Sequence, residues 1–239
     1  MAKILCVDDD AYLTDLLRYA LSREGFEVST ASSGREALRL VQSKGIDLVI
    51  LDVNIPDMNG FRVLAALRTF SQAPVVMLTA RSQDEDIVAA FSSGADDYVV
   101  KPFSMQVLIK RVSAVLRRTQ TRPLQTTMPG QSYRIGSALF DSEAHEIVSP
   151  VVSVRLTPTE GRILHLLLMH EGQVFSAERI MEHIWGYNTN SNVGVIKTHI
   201  RHVREKICRL PDSPQPIRTL AGLGYMAHQI DENGAILAS

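Results

Sequence analysis

The chain has 239 residues, 45% of them hydrophobic and 21% charged, with a formal net charge of −1 at pH 7. That is an ordinary globular balance with material for one or two domains, and it excludes a chain that is polyanion-binding over its whole length, so any basic surface must be local. No apolar stretch approaches the ~20 residues that span a bilayer, the N-terminus enters a strand pattern without a signal-peptide pattern, and Cys6 and Cys208 are expected to stay reduced, so the reading is a soluble cytoplasmic protein without a membrane partner.

The first half alternates strand and helix. Lys3 to Val7 is an apolar strand, and Tyr12 to Glu24 repeats Leu13, Leu16, Leu17, Ala20 and Leu21 at helical spacing before Gly25 ends it. A second strand covers Glu27 to Ala31, and Ser33 caps a helix that Gly45 closes. The apolar run Leu48 to Leu51 delivers Asp52 and then breaks into a loop through Pro56 and Gly60. Helices over Gly60 to Arg68, Asp84 to Ser93 and Ser104 to Arg118 alternate with strands over Val75 to Leu78 and Tyr98 to Val100. Five such units in residues 1–119 predict an α/β, doubly wound five-stranded parallel sheet with both faces covered.

Residues 120–131 are polar, carry Pro123, Pro129 and Gly130, and read as a linker. The span 132–230 has a different rhythm, and 231–239 is read as a tail. Short strand-like pieces around Ile135, Leu139, Ile147 and Val151 to Val154 predict a small antiparallel sheet. Thr157-Pro158-Thr159-Glu160 then opens a helix as a capping box. A second helix runs from Ser176 to Trp185 and a long third one from Val193 to Arg209. A hairpin follows, turning at Gly222-Leu223-Gly224.

Strand ends carry the chemistry. Asp8 and Asp9 follow the first strand, Asp52 ends the third, Thr79 the fourth and Lys101 the fifth. A doubly wound sheet brings such ends together at its carboxyl edge. Each acid alone reads as a helix cap, but acid, acid, hydroxyl and ammonium in that order read as a phosphoryl site. Carboxylates this close call for a hard cation with oxygen ligands, and Mg²⁺ fits best.

These motifs resemble the receiver domain of two-component response regulators. They are Leu51-Asp52 with Pro56 and Gly60, Leu78-Thr79-Ala80-Arg81, and Gly94 through Phe103. The whole chain resembles the OmpR/PhoB family, a receiver (flavodoxin-like) followed by a winged helix-turn-helix α+β domain. The resemblance implies that a sensor histidine kinase phosphorylates Asp52. It implies that Asp8, Asp9, Asp52 and the backbone carbonyl of Asn54 hold Mg²⁺, and that Thr79 and Tyr98 are the switch pair. It also implies a cis Lys101-Pro102 bond. An enzyme of the haloacid-dehalogenase type would need a second Asp where Asn54 stands, so the chain is read as a non-enzyme that accepts its own phosphoryl group and dephosphorylates slowly.

The resemblance further implies a homodimer through the fourth helix, fifth strand and fifth helix, with Asp97 facing Arg111 and Asp96 facing Arg118. A third pair, normally Lys with Glu, is Ile87 and Val107 here, which predicts an apolar contact across the dimer. The alternative is a regulator that dimerises constitutively and needs no phosphorylation.

The last helix has an apolar face (Val193, Ile196, Ile200, Val203, Ile207) and a basic one (Lys197, Arg201, Arg204). Leu156 to Glu160, Trp185-Gly186-Tyr187, His199-Ile200-Arg201 and Gly222 to Tyr225 resemble the winged-helix effector. That implies double-stranded DNA as partner, tandem half-sites, and Lys197, His199, Arg201, His202, Arg204, Arg218 and Thr219 as DNA-binding residues. It also implies RNA polymerase contact at Gly186 to Asn192. Ala221 and Met226 stand where the wing usually carries Arg, which predicts a shallower salt dependence of DNA binding.

Overall fold

The computed structural model describes residues 1–79, 94–120, 132–185, 194–212 and 214–237. The helix expected over Asp84 to Ser93, the linker from 121 to 131 and the loop Gly186 to Asn192 lie outside the described residues. The chain divides into two compact units, Met1–Thr121 and Arg122–Ser239.

The first unit holds β1 (Lys3–Val7), α1 (Ala11–Arg23), β2 (Glu27–Ala31), α2 (Gly34–Lys44), β3 (Leu48–Asp52), α3 (Gly60–Arg68), β4 (Val75–Thr79), β5 (Asp97–Val100) and α4 (Met105–Gln120). Its strands form a parallel sheet in the order β2-β1-β3-β4-β5. Every residue of β3 is buried, because helices cover both faces of a parallel sheet. Alternation along the strands then sorts the core in two. Leu5, Val7, Val49, Leu51, Val75 and Met77 pack with Ala37, Val41, Val63, Leu64 and Leu67 of α2 and α3. Ile4, Cys6, Leu48, Ile50, Val76 and Leu78 pack with Leu17, Leu21, Leu108, Val112 and Val115 of α1 and α4. Burial pushes the Cys6 thiol up to about 12, with the Asp8 charge adding to it, so this cysteine is an inert core side chain.

The second unit begins with an antiparallel sheet of β6 (Ser132–Ile135), β7 (Ala138–Asp141), β8 (Glu146–Val148) and β9 (Ser153–Arg155). Helices α5 (Pro158–Met169), α6 (Ala177–Trp185) and α7 (Gly194–Ile207) follow, then the hairpin β10 (Ile217–Leu220) and β11 (Gly224–Ala227). The capping box is formed: Thr157 Oγ1 accepts the Glu160 N–H, and Glu160 Oε2 accepts the Thr157 N–H. Phe175 exchanges two backbone hydrogen bonds with Tyr225 and so pairs with β11 as a one-residue antiparallel bridge beside the hairpin. That approach needs Gly224, since a Cβ there would lie 2.1 Å from the Phe175 carbonyl oxygen. The expected tail is partly built into the fold. Ile230 bridges Ile135 and Ile236, and Asp231 accepts the Asn233 and Ala235 N–H groups. Among the described residues no helix is long and apolar enough to cross a membrane.

Candidate functional site

The carboxyl edge of the parallel sheet gathers the acids. Asp52, 5% exposed, ends β3 and pairs in register with Leu78, so Thr79 lies one residue further along β4. Lys101 Nζ lies 3.0 Å from Asp52 Oδ1 and 2.7 Å from Asp8 Oδ2. The remaining oxygens are directed by backbone: Asp52 Oδ2 accepts the Asn54 N–H and Asp8 Oδ1 accepts the Asp10 N–H. Burial pushes the Asp52 carboxyl above the usual range, and Lys101 opposes it through a hydrogen bond and its charge. For Lys101 burial works against the charged form, but its bonds to Asp8 and Asp52 outweigh that and hold its pKa above the usual lysine value.

Asp8, Asp9 and Asp52 each offer an oxygen, and these oxygens lie within 4.8 Å of one another. An all-oxygen donor set with net negative charge fits a hard divalent cation. A groove of about 320 Å³ lined by Asp9, Val53, Asn54, Ile55, Pro56 and Asn59 opens at this cluster. Asp10, the third acid of the run, is a cap: its Oδ1 accepts the Tyr12 and Leu13 N–H groups of α1.

The loop after Asp52 is tied down at several points. Gly60 N–H donates to the Val53 carbonyl, and a Cβ on Gly60 would lie 2.3 Å from the Asp52 carbonyl oxygen. Asp57 accepts the Gly34 and Arg35 N–H groups and so pins the loop to the start of α2. Ser33 is the cap that the sequence predicts, its Oγ accepting the Glu36 N–H at 3.3 Å, and Asp57 adds to it from 23 residues away, a contact that nothing local in the sequence marks. The Lys101–Pro102 peptide is cis. Thr79 is buried, and Tyr98 is half-buried against the α2–α3 side of the core.

On the face expected to report phosphorylation, Asp97 and Arg111 pair at 2.9 Å within one chain, and Asp97 is only 2% exposed. Asp96 is corrected to an interior anchor. Its carboxylate accepts from Arg68 Nη2 at 3.0 Å and from the Val75 N–H, and it is 1% exposed, so it is held inside the domain. Arg68 also donates to the carbonyls of Ala73 and Gly94. Val107 is exposed, at 46%. Ile87 and the Arg118 side chain lie outside the described residues.

In the second unit α7 presents Lys197 and Arg201 to solvent, and Arg218 and Thr219 are exposed on β10. His199 is corrected: it is 1% exposed, with its ring 5.9 Å from that of Trp185, and it cannot touch a ligand at the surface. Position 199 is one turn from 196 and 203, so the helix carries it inward. Burial lowers its pKa to about 4. Arg204 is partly committed to the hairpin, donating to the Ile217 carbonyl and to Thr219 Oγ1. Lys206 turns inward to Glu160 Oε2 at 2.6 Å. His202 is mostly covered, with 13% of its side chain exposed.

A parallel sheet whose carboxyl edge clusters three acids with a lysine, joined to a helical unit with a β-hairpin, defines the class of two-component response regulators with a DNA-binding output. Comparison with known proteins agrees. Residues 4–113 match the response regulator receiver domain, and residues 152–227 match the C-terminal domain of transcriptional regulatory proteins. The chain is 37% identical over 225 residues to the DNA-binding response regulator MtrA of Mycolicibacterium smegmatis, covering 94% of this chain and 96% of that one. It is 35% identical over 226 residues to the transcriptional regulatory protein SrrA of Staphylococcus aureus, covering 93% and 94%. Among solved structures, a mutant of RitR shares the fold at TM-score 0.73 and 23% identity, covering 96% and 100%. DrrB of Thermotoga maritima, an OmpR/PhoB homolog, matches at TM-score 0.50 and 29% identity, covering 95% and 99%. The chain belongs to the OmpR/PhoB family of DNA-binding response regulators.

Proposed function

We propose that this transcriptional response regulator accepts a phosphoryl group on Asp52 from a sensor histidine kinase and reports it by dimerising on DNA. The observation that carries this is the buried Asp52 carboxylate, with Lys101 at 3.0 Å and Asp8 and Asp9 oxygens beside it. An Asp52 oxygen attacks phosphorus, forming the new P–O bond as the P–N bond to the kinase imidazole breaks and its electron pair stays on nitrogen. Lys101 is placed to meet charge on a phosphoryl oxygen, and Thr79 offers a hydroxyl. Asp8, Asp9, Asp52 and the Asn54 carbonyl would hold Mg²⁺, which when bound offsets charge on the transferring group.

The acyl phosphate adds roughly one negative charge where Asp52 stood. Thr79 bonds it and Tyr98 turns inward, repacking the outer face that carries Val107 and the Asp97–Arg111 pair. Lys197, Arg201, Arg218 and Thr219 then bind tandem half-sites, and Gly186 to Asn192 contacts RNA polymerase. The exposed Val107 also favours a second reading, in which the dimer forms without phosphate.

Acetyl phosphate with Mg²⁺ should yield one phosphorylated species on a phosphate-affinity gel, absent in Asp52→Asn. The same treatment should tighten DNA binding in wild type alone. Labelling that persists in Asp52→Asn defeats the assignment. DNA binding that ignores labelling supports the second reading.

A further inference from the structure

Two neighbours fix the protonation of the His202 ring. Arg201 Nη2 lies 3.3 Å from His202 Nε2. A guanidinium has only N–H donors, so Nε2 is the acceptor and the ring proton sits on Nδ1. Nδ1 in turn faces Glu160 Oε1 at 3.7 Å. Glu160 is held fast, since its other oxygen accepts from Thr157 N–H at 2.8 Å and Lys206 Nζ at 2.6 Å, and the residue is 1% exposed. Burial holds His202 below the usual histidine range, Glu160 and Glu205 oppose this, and Arg201 and Lys206 reinforce it, so the neutral ring is the form present at neutral pH. On its other side the Arg201 guanidinium has Nε 3.7 Å from Glu205 Oε1. The guanidinium therefore stands between an imidazole acceptor and a carboxylate, with 59% of its side chain exposed.

We propose that His202 is a positioning residue for DNA recognition: it holds the Arg201 guanidinium in place through Nε2, takes its own orientation from buried Glu160, and touches no DNA. A line of contacts thus runs from the capping box of α5 through Glu160 and His202 to the exposed face of α7. Base recognition by arginine depends on the direction of its planar fork, so a held guanidinium selects a base where a free one supplies only charge. The proposal rests on the reading of Arg201 as a DNA contact.

The test uses the full chain, treated with acetyl phosphate and Mg²⁺, and a pool of random-sequence duplexes whose bound fraction is sequenced. Arg201→Ala identifies the base position that Arg201 reads. His202→Asn keeps an amide near the Nδ1 place beside Glu160 but leaves nothing at Nε2, whereas His202→Gln reaches the Nε2 place with an oxygen. His202→Asn should lose about tenfold in preference at the Arg201 position, and His202→Gln should keep it within about threefold. Binding to a non-specific duplex should change less than about twofold in both, because the Arg201 charge remains. Thermal melts confirm that each variant is folded.

If Arg201→Ala loses the preference while His202→Asn keeps it, the positioning role is overturned and the Arg201 contact stands. Equal loss in Asn and Gln variants overturns it in favour of simple packing. If Arg201→Ala changes nothing, or wild type enriches no sequence, the DNA reading of Arg201 falls and the proposal with it.

Discussion

The Lys206 ammonium lies 2.6 Å from the buried carboxylate of Glu160 and joins α7 to the first turn of α5. Burial alone would raise the Glu160 pKa, yet Lys206 and the capping N–H hold it below the usual glutamate value. Removing one partner leaves a buried charge unpaired, which costs about 3–5 kcal/mol. Lys206→Met should therefore destabilise the effector domain by that order. Glu160→Gln with Lys206→Met should cost clearly less, because Gln still completes a capping box and no charge is stranded. The single Trp185, 5% exposed, reports this domain in urea unfolding. Equal destabilisation by single and double variants would remove the pair from the account.

The effector domain should lose stability on mild acidification. His145 and His199 both titrate at about 4 against an ordinary 6.5, chiefly through burial. His145 faces Arg162, His165 and Asp141, and His199 faces Glu160, His202 and Lys206. The unfolded chain takes up these protons first, so stability is complete above about pH 6.5 and falls as pH drops towards about 4. The loss is roughly 3 kcal/mol for each ring. Glu160 adds a separate loss below its ordinary value of 4.5. Denaturation followed at Trp185 across this range checks the slope, and His199→Leu should reduce it by about half, leaving the His145 contribution. A flat profile in wild type contradicts the burial argument.

Gly60→Ala should damage the loop that follows Asp52. Its Cβ would lie 2.3 Å from the Asp52 carbonyl oxygen and 2.9 Å from Val53 Cα, both backbone atoms that cannot swing aside. Forced overpacking of this kind costs about 1–3 kcal/mol. Slower labelling by acetyl phosphate and a lower melting temperature of the receiver are expected together. Normal labelling would mean that the loop yields without moving Asp52.

The parallel sheet was legible because its signal is local: apolar runs for strands, helical periods between them, and breakers after each. The pocket was legible for the same reason, since topology alone carries strand ends to one edge. What escaped were contacts set by tertiary packing. Nothing in the sequence distinguishes Asp96, anchored by Arg68, from Asp97, paired with Arg111. Asp57 and the inward turn of Lys206 were hidden likewise. His199 was readable in principle, being one turn from Ile196 and Val203, but its polar character masked its place on the apolar face.

Tyr12, Leu16 and Tyr19 are exposed at 80%, 42% and 64%, spaced along one side of α1, which starts beside the acidic cluster. If Asp52 takes its phosphoryl group from a kinase histidine as proposed, apolar exposure of this kind beside the acidic cluster suits the surface of that partner. Leu16→Asp should lower phosphoryl transfer from the partner kinase by about tenfold, the size of one lost interface contact. Labelling by acetyl phosphate, which needs no docking, should stay unchanged. A parallel fall in both reactions would point to damage in the pocket itself.

Val107, exposed at 46% on α4, gives the dimer proposal its sharpest test. An apolar contact with Ile87 of a second copy would contribute roughly 1–2 kcal/mol in place of a surface ion pair worth less. Burial is indifferent to salt, whereas ion pairs weaken as salt screens them. The phosphorylated wild-type dimer should therefore hold as salt rises. Val107→Glu should weaken it by about 5- to 30-fold in Kd, following that energy. Sedimentation across a salt series measures both. A wild-type dimer that dissolves with salt, or a Val107→Glu dimer of unchanged affinity, would return the interface to the charged pairs, with Asp97 and Arg111 exchanging their contact within one chain for one between two.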